Sequence, residues 1–257
     1  MKHGDFSKLA QNYAASRPGY SELVLAGVVG MCSCHRKEIQ AADIGAGTGI
    51  WTQMLVDAGV GSVVAVEPND EMRREGMRYT KGSGVKWVAG SAESTGLPAE
   101  SFDLLTMASA FHWADFKPAI AEFGRLLRDD GLFVALWNPR LVTRSPALEK
   151  IEDYVNSLMG ESRPRVSSGF SPFTDGLEER LRASSYFGEI GYLEHEHVVV
   201  FDHDRFLAVW RSVNDVRVQL GEPKFAEFLR YVQKVIADMD RIEVTYLTRA
   251  WLARRAL

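Results

Sequence analysis

One stretch constrains this chain more than any other: Ala41-Ala42-Asp43-Ile44-Gly45-Ala46-Gly47-Thr48-Gly49-Ile50. It reads as the end of a buried strand, a glycine turn and the start of a helix. Three alternate glycines provide backbone positions of positive φ and keep Cβ atoms out of the path of a ligand. A helix beginning at about Ile50 aims the unsatisfied N–H groups of its first turn at whatever lies over that turn. About twenty residues on, Val63-Val64-Ala65-Val66-Glu67 reads as a second buried strand ending in a carboxylate, placed where a ribose diol is hydrogen-bonded. The two segments predict one βαβ unit that holds a nucleotide-type cofactor.

The glycine spacing is G-x-G-x-G with Asp43 two residues ahead, not the G-x-G-x-x-G of pyridine-nucleotide enzymes, so a nicotinamide oxidoreductase is disfavoured. Together with Glu67 and the Gly90-Ser91-Ala92-Glu93 turn, these residues resemble the class I S-adenosylmethionine (SAM) dependent methyltransferases, from about Tyr13 to Asn138. Within that family the Phe111-His112-Trp113 run and the Tyr13-Ala14-Ala15-Ser16-Arg17-Pro18 opening are similar to the branch of trans-aconitate-type and related small-molecule methyltransferases.

The resemblance implies SAM as cofactor and a role for each matching position. Tyr13 and Arg17 belong to the segment that closes over SAM in such proteins, although packing and a helix-end charge explain them equally well. Asp43, Gly45, Ala46 and Gly47 form the cofactor turn, and Glu67, Pro68 and Met72 meet the ribose and adenine. Ser91, Ala92 and Glu93 fall where the family reads the adenine; Ser91 stands in a place usually held by Asp, which leaves Ala92 and Glu93 as the stronger candidates. Ser109 and Phe111 complete the cofactor set, while Tyr20, His112, Trp113, Trp137 and Asn138 are candidates for contact with the substrate.

Taken in order, the chain alternates strand and helix. Ser21 to Met31 reads as a helix capped by Ser21. The strands run Val63–Val66, Val85–Ala89, Ser101–Ala108 and Leu132–Trp137, the last entered through an Asp129-Asp130-Gly131 turn. Further strands over Glu194–Phe201 and Glu243–Trp251 are separated by helices from Asp204 and from Pro223. The pattern predicts an α/β doubly wound, Rossmann-like sheet. The resemblance implies strand order 3-2-1-4-5-7-6, mostly parallel with an antiparallel last strand, and a helical cap is added. We divide it into an N-terminal helical lid (1–36), a SAM-binding core (37–139), a cap insertion (140–186) and C-terminal strands and helices that complete the sheet (187–257). Arg163 and Arg165 in the cap are candidates for clamping a carboxylate, against the plainer reading of a solvated charged loop.

Composition excludes several partners. At 257 residues and 46% hydrophobic, the chain supports a sizeable core, and its net charge of −4 offers no basic field for a phosphate backbone, so nucleic acid is not expected. No run of about eighteen apolar residues occurs, and the first residues lack an apolar leader, so the expectation is a cytoplasmic protein without membrane association. A homodimer is compatible with this reading. Cys32, Cys34 and His35 form a C-x-C-H cluster, but a structural zinc needs a second ligand pair that the sequence does not supply, and no metal is expected. His195 and His197 alternate with charged residues as an exposed strand face does.

A sulfonium methyl is already electrophilic, so the expected protein aligns a nucleophile and excludes water. A carboxylate or neutral amine needs no base; His112 is the candidate base for any acceptor that does. Phe111, Trp113 and Trp137 are candidates to wall the cationic centre. The expected function is methyl transfer to a small-molecule carboxylate or amine. Two alternatives keep SAM: cyclisation to azetidine-2-carboxylate with release of methylthioadenosine, and a non-catalytic SAM-binding protein.

Overall fold

Short apolar runs bounded by glycine or polar turns become strands here, and the amphipathic runs between them become covering helices. The computed structural model describes residues 16–160 and 169–256. Helix α1 (Glu22–Gly30) begins where the Ser21 hydroxyl accepts from the Val24 N–H. Alternation follows: β1 (Gln40–Ile44), α2 (Ile50–Asp57), β2 (Ser62–Val66), α3 (Asp70–Tyr79), β3 (Lys86–Val88), β4 (Phe102–Ala108), α4 (Phe116–Leu126) and β5 (Leu127–Trp137). After the helices α5 (Pro146–Met159), α6 (Pro172–Asp175) and α7 (Leu177–Arg182) come β6 (Phe187–Phe201), α8 (His203–Arg211), α9 (Asn214–Ile236) and β7 (Ile242–Arg255).

The seven strands form one sheet in the order β3-β2-β1-β4-β5-β7-β6. Pairs from β3 to β5 are parallel, and β7 runs antiparallel to both neighbours, β5 and β6. The expected fold class and strand order are therefore observed. Ile44, Phe123, Phe133 and Leu181 are buried on one face of the sheet, and Val28, Trp51, Leu55 and Leu136 on the other. A third cluster, built on Ile151, Trp210, Phe228 and Tyr246, fills the space where α5, α8 and α9 pack beside the start of β7.

Three element boundaries differ from the sequence reading. The Asp129-Asp130-Gly131 turn lies inside β5 as a bulge: Leu127 pairs with Phe102 and Leu132 with Leu104, so residues 128–131 loop out. The Arg128–Asp103 ion pair at 2.9 Å and a left-handed Asp130 (φ 62°) hold that excursion. Strand β6 starts at Phe187, because pairing with a fourteen-residue β7 extends it beyond its apolar segment. Helix α9 starts at Asn214 and kinks at Gly221 (φ 70°), which sets Pro223 in the first turn after the kink, where a missing N–H is tolerated. Residues 1–15 of the expected N-terminal lid, Tyr13 included, and the Arg163 and Arg165 loop lie outside the described residues. No described helix is long and apolar enough to cross a membrane.

Candidate active site

Parallel strands deliver their carboxyl ends to one edge of the sheet, and the loops leaving β1, β2, β3 and β4 meet there. Between them lies a cavity of about 320 Å³. Its floor is the Gly45–Thr48 turn, which the Gly45 and Ala46 N–H groups tie to Val66 O at 2.8 and 3.0 Å. Gly45, Gly47 and Gly49 all have positive φ, and a Cβ on Gly45 would lie 2.7 Å from the Ala110 Cβ. Only glycine permits that conformation and that approach without strain. Gly49, in the N-cap position of α2, brings no side chain to the first N–H groups of the helix, which leaves them for a ligand.

Glu67 stands at the end of β2, 7% exposed, on the cavity wall. Its Oε2 accepts from the Gly47 N–H at 2.8 Å and its Oε1 from the Asn69 N–H at 2.9 Å. Burial raises its pKa, opposed by those two hydrogen bonds and by Arg73. The carboxylate thus ties the glycine turn to the start of α3, whose N-cap Asn69 accepts from the Glu71 and Met72 N–H groups. Met72, Pro68, Ala92, Ser91 and Glu93 line the same side. Burial alone would raise the Glu93 carboxyl, but hydrogen bonds from the Ser91 hydroxyl and the Asp115 N–H hold it below the usual range.

The roof is the segment entering from the N-terminus. Arg17 and Tyr20 line the cavity; the Tyr20 hydroxyl is 3.0 Å from Ser109 Oγ, and its ring meets Trp51 edge-on at 5.3 Å. Asn138 Nδ2 donates to Gly19 O at 2.9 Å, and Arg17 Nε donates to Ser212 Oγ at 3.0 Å. Trp113, Ser109 and Asn138 also reach the cavity.

Four residues singled out from the sequence stand off the cavity wall. Asp43 is fully buried beneath the turn, where it accepts from Thr52 Oγ1 at 2.6 Å and Thr106 Oγ1 at 2.9 Å; burial pushes its carboxyl up to about 7. It braces β1 against α2 and β4. Phe111, His112 and Trp113 form a single 3₁₀ turn, in which successive side chains point about 120° apart. Trp113 faces the cavity; Phe111 is buried among Phe116, Phe123, Phe133 and Phe173. Trp137 is 1% exposed and donates from Nε1 to His112 Nδ1 at 3.2 Å. That bond places the His112 proton on Nε2, which is buried without a partner among the described residues, and burial pushes the ring's pKa down to about 4.

Thr48, Trp51, Asn69, Met107 and Tyr246 line the cavity without having been singled out. The buried Thr48 Oγ1 and Trp51 Nε1 have no hydrogen-bond partner among the described residues. Thr48 and Asn69 flank recognised motif residues, which is a usable signal; Tyr246, two hundred positions along, gave none. Cys32 and Cys34 are free thiols away from this cavity, and burial pushes Cys32 up to about 12.

A family model described as a methyltransferase domain matches residues 42–135. An uncharacterized methyltransferase-like protein of Schizosaccharomyces pombe is 31% identical over 205 residues, 79% of this chain and 72% of that protein. The uncharacterized methyltransferase YcgJ of Bacillus subtilis is 30% identical over 63% of this chain, and an uncharacterized methyltransferase of Mycobacterium tuberculosis is 41% identical over 38% of it. The chain spans 64% and 39% of the lengths of those two relatives. Among solved structures, a candidate type II methyltransferase from Anaeromyxobacter dehalogenans has a TM-score of 0.69 at 23% identity, covering 93% of this chain and 97% of its own. A phosphoethanolamine N-methyltransferase 2 of Haemonchus contortus, in complex with phosphomonomethylethanolamine and S-adenosylhomocysteine, has a TM-score of 0.56 at 13% identity, covering 98% of this chain and 57% of its own. Both likenesses concern the fold.

Proposed function

This chain belongs to the class I SAM-dependent methyltransferase family, and on that premise we propose that it binds SAM and transfers its methyl group to a small-molecule carboxylate or amine. The observation that carries the reading is Glu67: a buried carboxylate on the cavity wall, linked to the glycine turn through Gly47 and to α3 through Asn69. A ribose diol needs such an acceptor, and an amino-acid carboxylate needs donors such as the N–H groups of the first turn of α2. Gly47 leaves the room that a nucleoside requires. SAM supplies a sulfonium-activated methyl group.

The chain's own residues then have two tasks, alignment and exclusion of water. Trp51, Met107, Trp113 and Pro18 give the cavity apolar walls, and the Arg17–Tyr20 segment covers it. His112 does not act as a base in this reading: Nδ1 already accepts from Trp137 and Nε2 carries the proton. An acceptor with its own available lone pair, a carboxylate or neutral amine, therefore suits the site better than an alcohol. The finer form of the proposal is a cytoplasmic enzyme of small-molecule metabolism resembling the trans-aconitate type.

The test is mass spectrometry of purified protein incubated with SAM alone, then with a pool of small carboxylic acids and amines. S-adenosylhomocysteine appearing only with an acceptor is the expected result. Methylthioadenosine formed without acceptor, above an enzyme-free control, would replace methyl transfer with an intramolecular reaction of SAM. Absence of SAM binding by calorimetry would overturn both.

A further inference from the structure

The cavity extends from the cofactor side toward β7, and its far end carries a different chemistry. Glu67, Met72 and Glu93 follow β2 and β3, whereas Tyr246 lies on β7, two strands past β4 on the opposite side of the glycine turn. The antiparallel insertion of β7 puts Tyr246 beyond the end of β5, where it forms an isolated bridge with Arg140. Tyr246 is 4% exposed and lines the cavity together with Arg17.

Three guanidinium groups, those of Arg140, Arg17 and Arg205, act on the Tyr246 phenol and oppose the rise in its pKa caused by burial. Each is held in place. Arg17 donates to Ser212 Oγ at 3.0 Å and Ser212 O at 3.4 Å; Arg140 lies 3.9 Å over the Trp210 ring and 4.0 Å from Glu152; Arg205 lies 4.8 Å from the Phe201 ring centre. The buried carboxylates near this end are Glu152, facing Arg140, and Asp215, whose charge acts on His112. The Arg17 guanidinium and the Tyr246 phenol both stand on the cavity wall at this end. A braced guanidinium beside a buried phenol presents directed N–H and O–H donors to an oxyanion and repels a cation.

We propose that Arg17 and Tyr246 form the acceptor subsite and select a small molecule that carries an oxyanion, a carboxylate or a phosphate monoester. This deepens the methyl-transfer reading and rests on it for the word acceptor; the oxyanion preference itself belongs to these two residues. Anchoring an anionic group here sets the rest of the acceptor across the Ser109–Trp113 loop.

The experiment measures binding by calorimetry to the wild type, Arg17→Gln and Tyr246→Phe, each with and without S-adenosylhomocysteine. The probes are succinate, citrate, glycerol 3-phosphate and, as a cation, 1,4-diaminobutane. The expected result is that at least one anionic probe binds, that Arg17→Gln weakens it tenfold or more, and that Tyr246→Phe weakens it severalfold, while 1,4-diaminobutane does not bind. Unchanged S-adenosylhomocysteine affinity in Tyr246→Phe shows that its pocket is intact. Binding of the carboxylates alone or of the phosphate ester alone identifies the oxyanion. Binding of the diamine in preference to the anions, no binding of any anion, or anion affinity indifferent to both substitutions overturns the proposal. Loss of S-adenosylhomocysteine binding in the wild type overturns the cofactor reading separately, because the anion arm is also read without it.

Discussion

A histidine packed among aromatic rings resists protonation, because burial removes the solvent that would stabilise its charge. His112 lies 4.6 Å from the Trp113 ring centre and within 6.5 Å of Trp137 and Phe173, and its pKa is pushed down to about 4 from 6.5, against the pull of Asp215. The sign of the linkage follows. Above about pH 6.5 the ring is neutral in both folded and unfolded chains; between about 6.5 and 4 the unfolded chain takes up the proton and the folded one does not. The stability is therefore complete above pH 6.5 and is lost as pH falls toward 4, by about 2 kcal/mol at pH 5. Asp43, raised by burial to about 7, works in the opposite sense, its contribution falling as pH rises toward 7. Comparison with His112→Gln cancels the Asp43 effect. Thermal unfolding at pH 7 and pH 5 is expected to show the wild type losing several degrees more than the variant. Equal losses would mean that the folded ring titrates normally, and a base role for His112 would return.

At the scale of elements, helix α3 shows how packing overrides propensity. Gly76 sits inside α3, where alanine is ordinarily favoured by about 0.5–1 kcal/mol. A Cβ there would lie 2.0 Å from Cη2 of Trp87, and that ring is fixed by its Nε1–H bond to Thr80 Oγ1 at 3.0 Å. Gly76→Ala is therefore expected to destabilise by about 1–3 kcal/mol in chemical denaturation. Gly30→Ala, with nothing within 4 Å of its Cβ at the end of α1, should be neutral or stabilising. The displaced α3 carries Met72, so weaker S-adenosylhomocysteine binding should accompany the loss in Gly76→Ala alone. Elements of this kind also mark how far the sequence can be read. The Gly45–Gly49 turn and Glu67 were legible because their roles are local: a glycine conformation and a carboxylate at a strand end. Phe111 was not, because a 3₁₀ turn sends three consecutive aromatics in three directions and only the surrounding core decides which faces the cavity. Tyr246 was not, because it reaches the cavity only through the insertion of β7 between β5 and β6.

For the molecule as a whole, the segment over the cavity is the piece that joins its parts. Arg17 bonds Ser212 at the end of α8, Tyr20 reaches Ser109 after β4, and between them Gly19 O accepts from Asn138 Nδ2 at 2.9 Å and lies 3.3 Å from His197 Nε2. Asn138 is itself held: Thr248 Oγ1 donates to its Oδ1 at 2.8 Å and accepts from the Ser21 N–H at 2.8 Å. A side chain so engaged acts as a clasp on the segment, and its contribution to ligand binding is indirect. Removing it in Asn138→Ala deletes two hydrogen bonds and leaves Gly19 O with His197, so the segment loosens without being released. With about 0.5–1.5 kcal/mol per bond, the dissociation of S-adenosylhomocysteine is expected to speed up by about tenfold in stopped-flow experiments. The association rate should change little, since entry does not depend on the clasp being formed. Asn138→Asp keeps the acceptor for Thr248 but sets a carboxylate against Gly19 O, so it should release the ligand faster than alanine does. Dissociation unchanged in both variants, with the melting temperature lowered, would show that the Asn138 bonds stabilise the fold and that the segment does not gate the cavity.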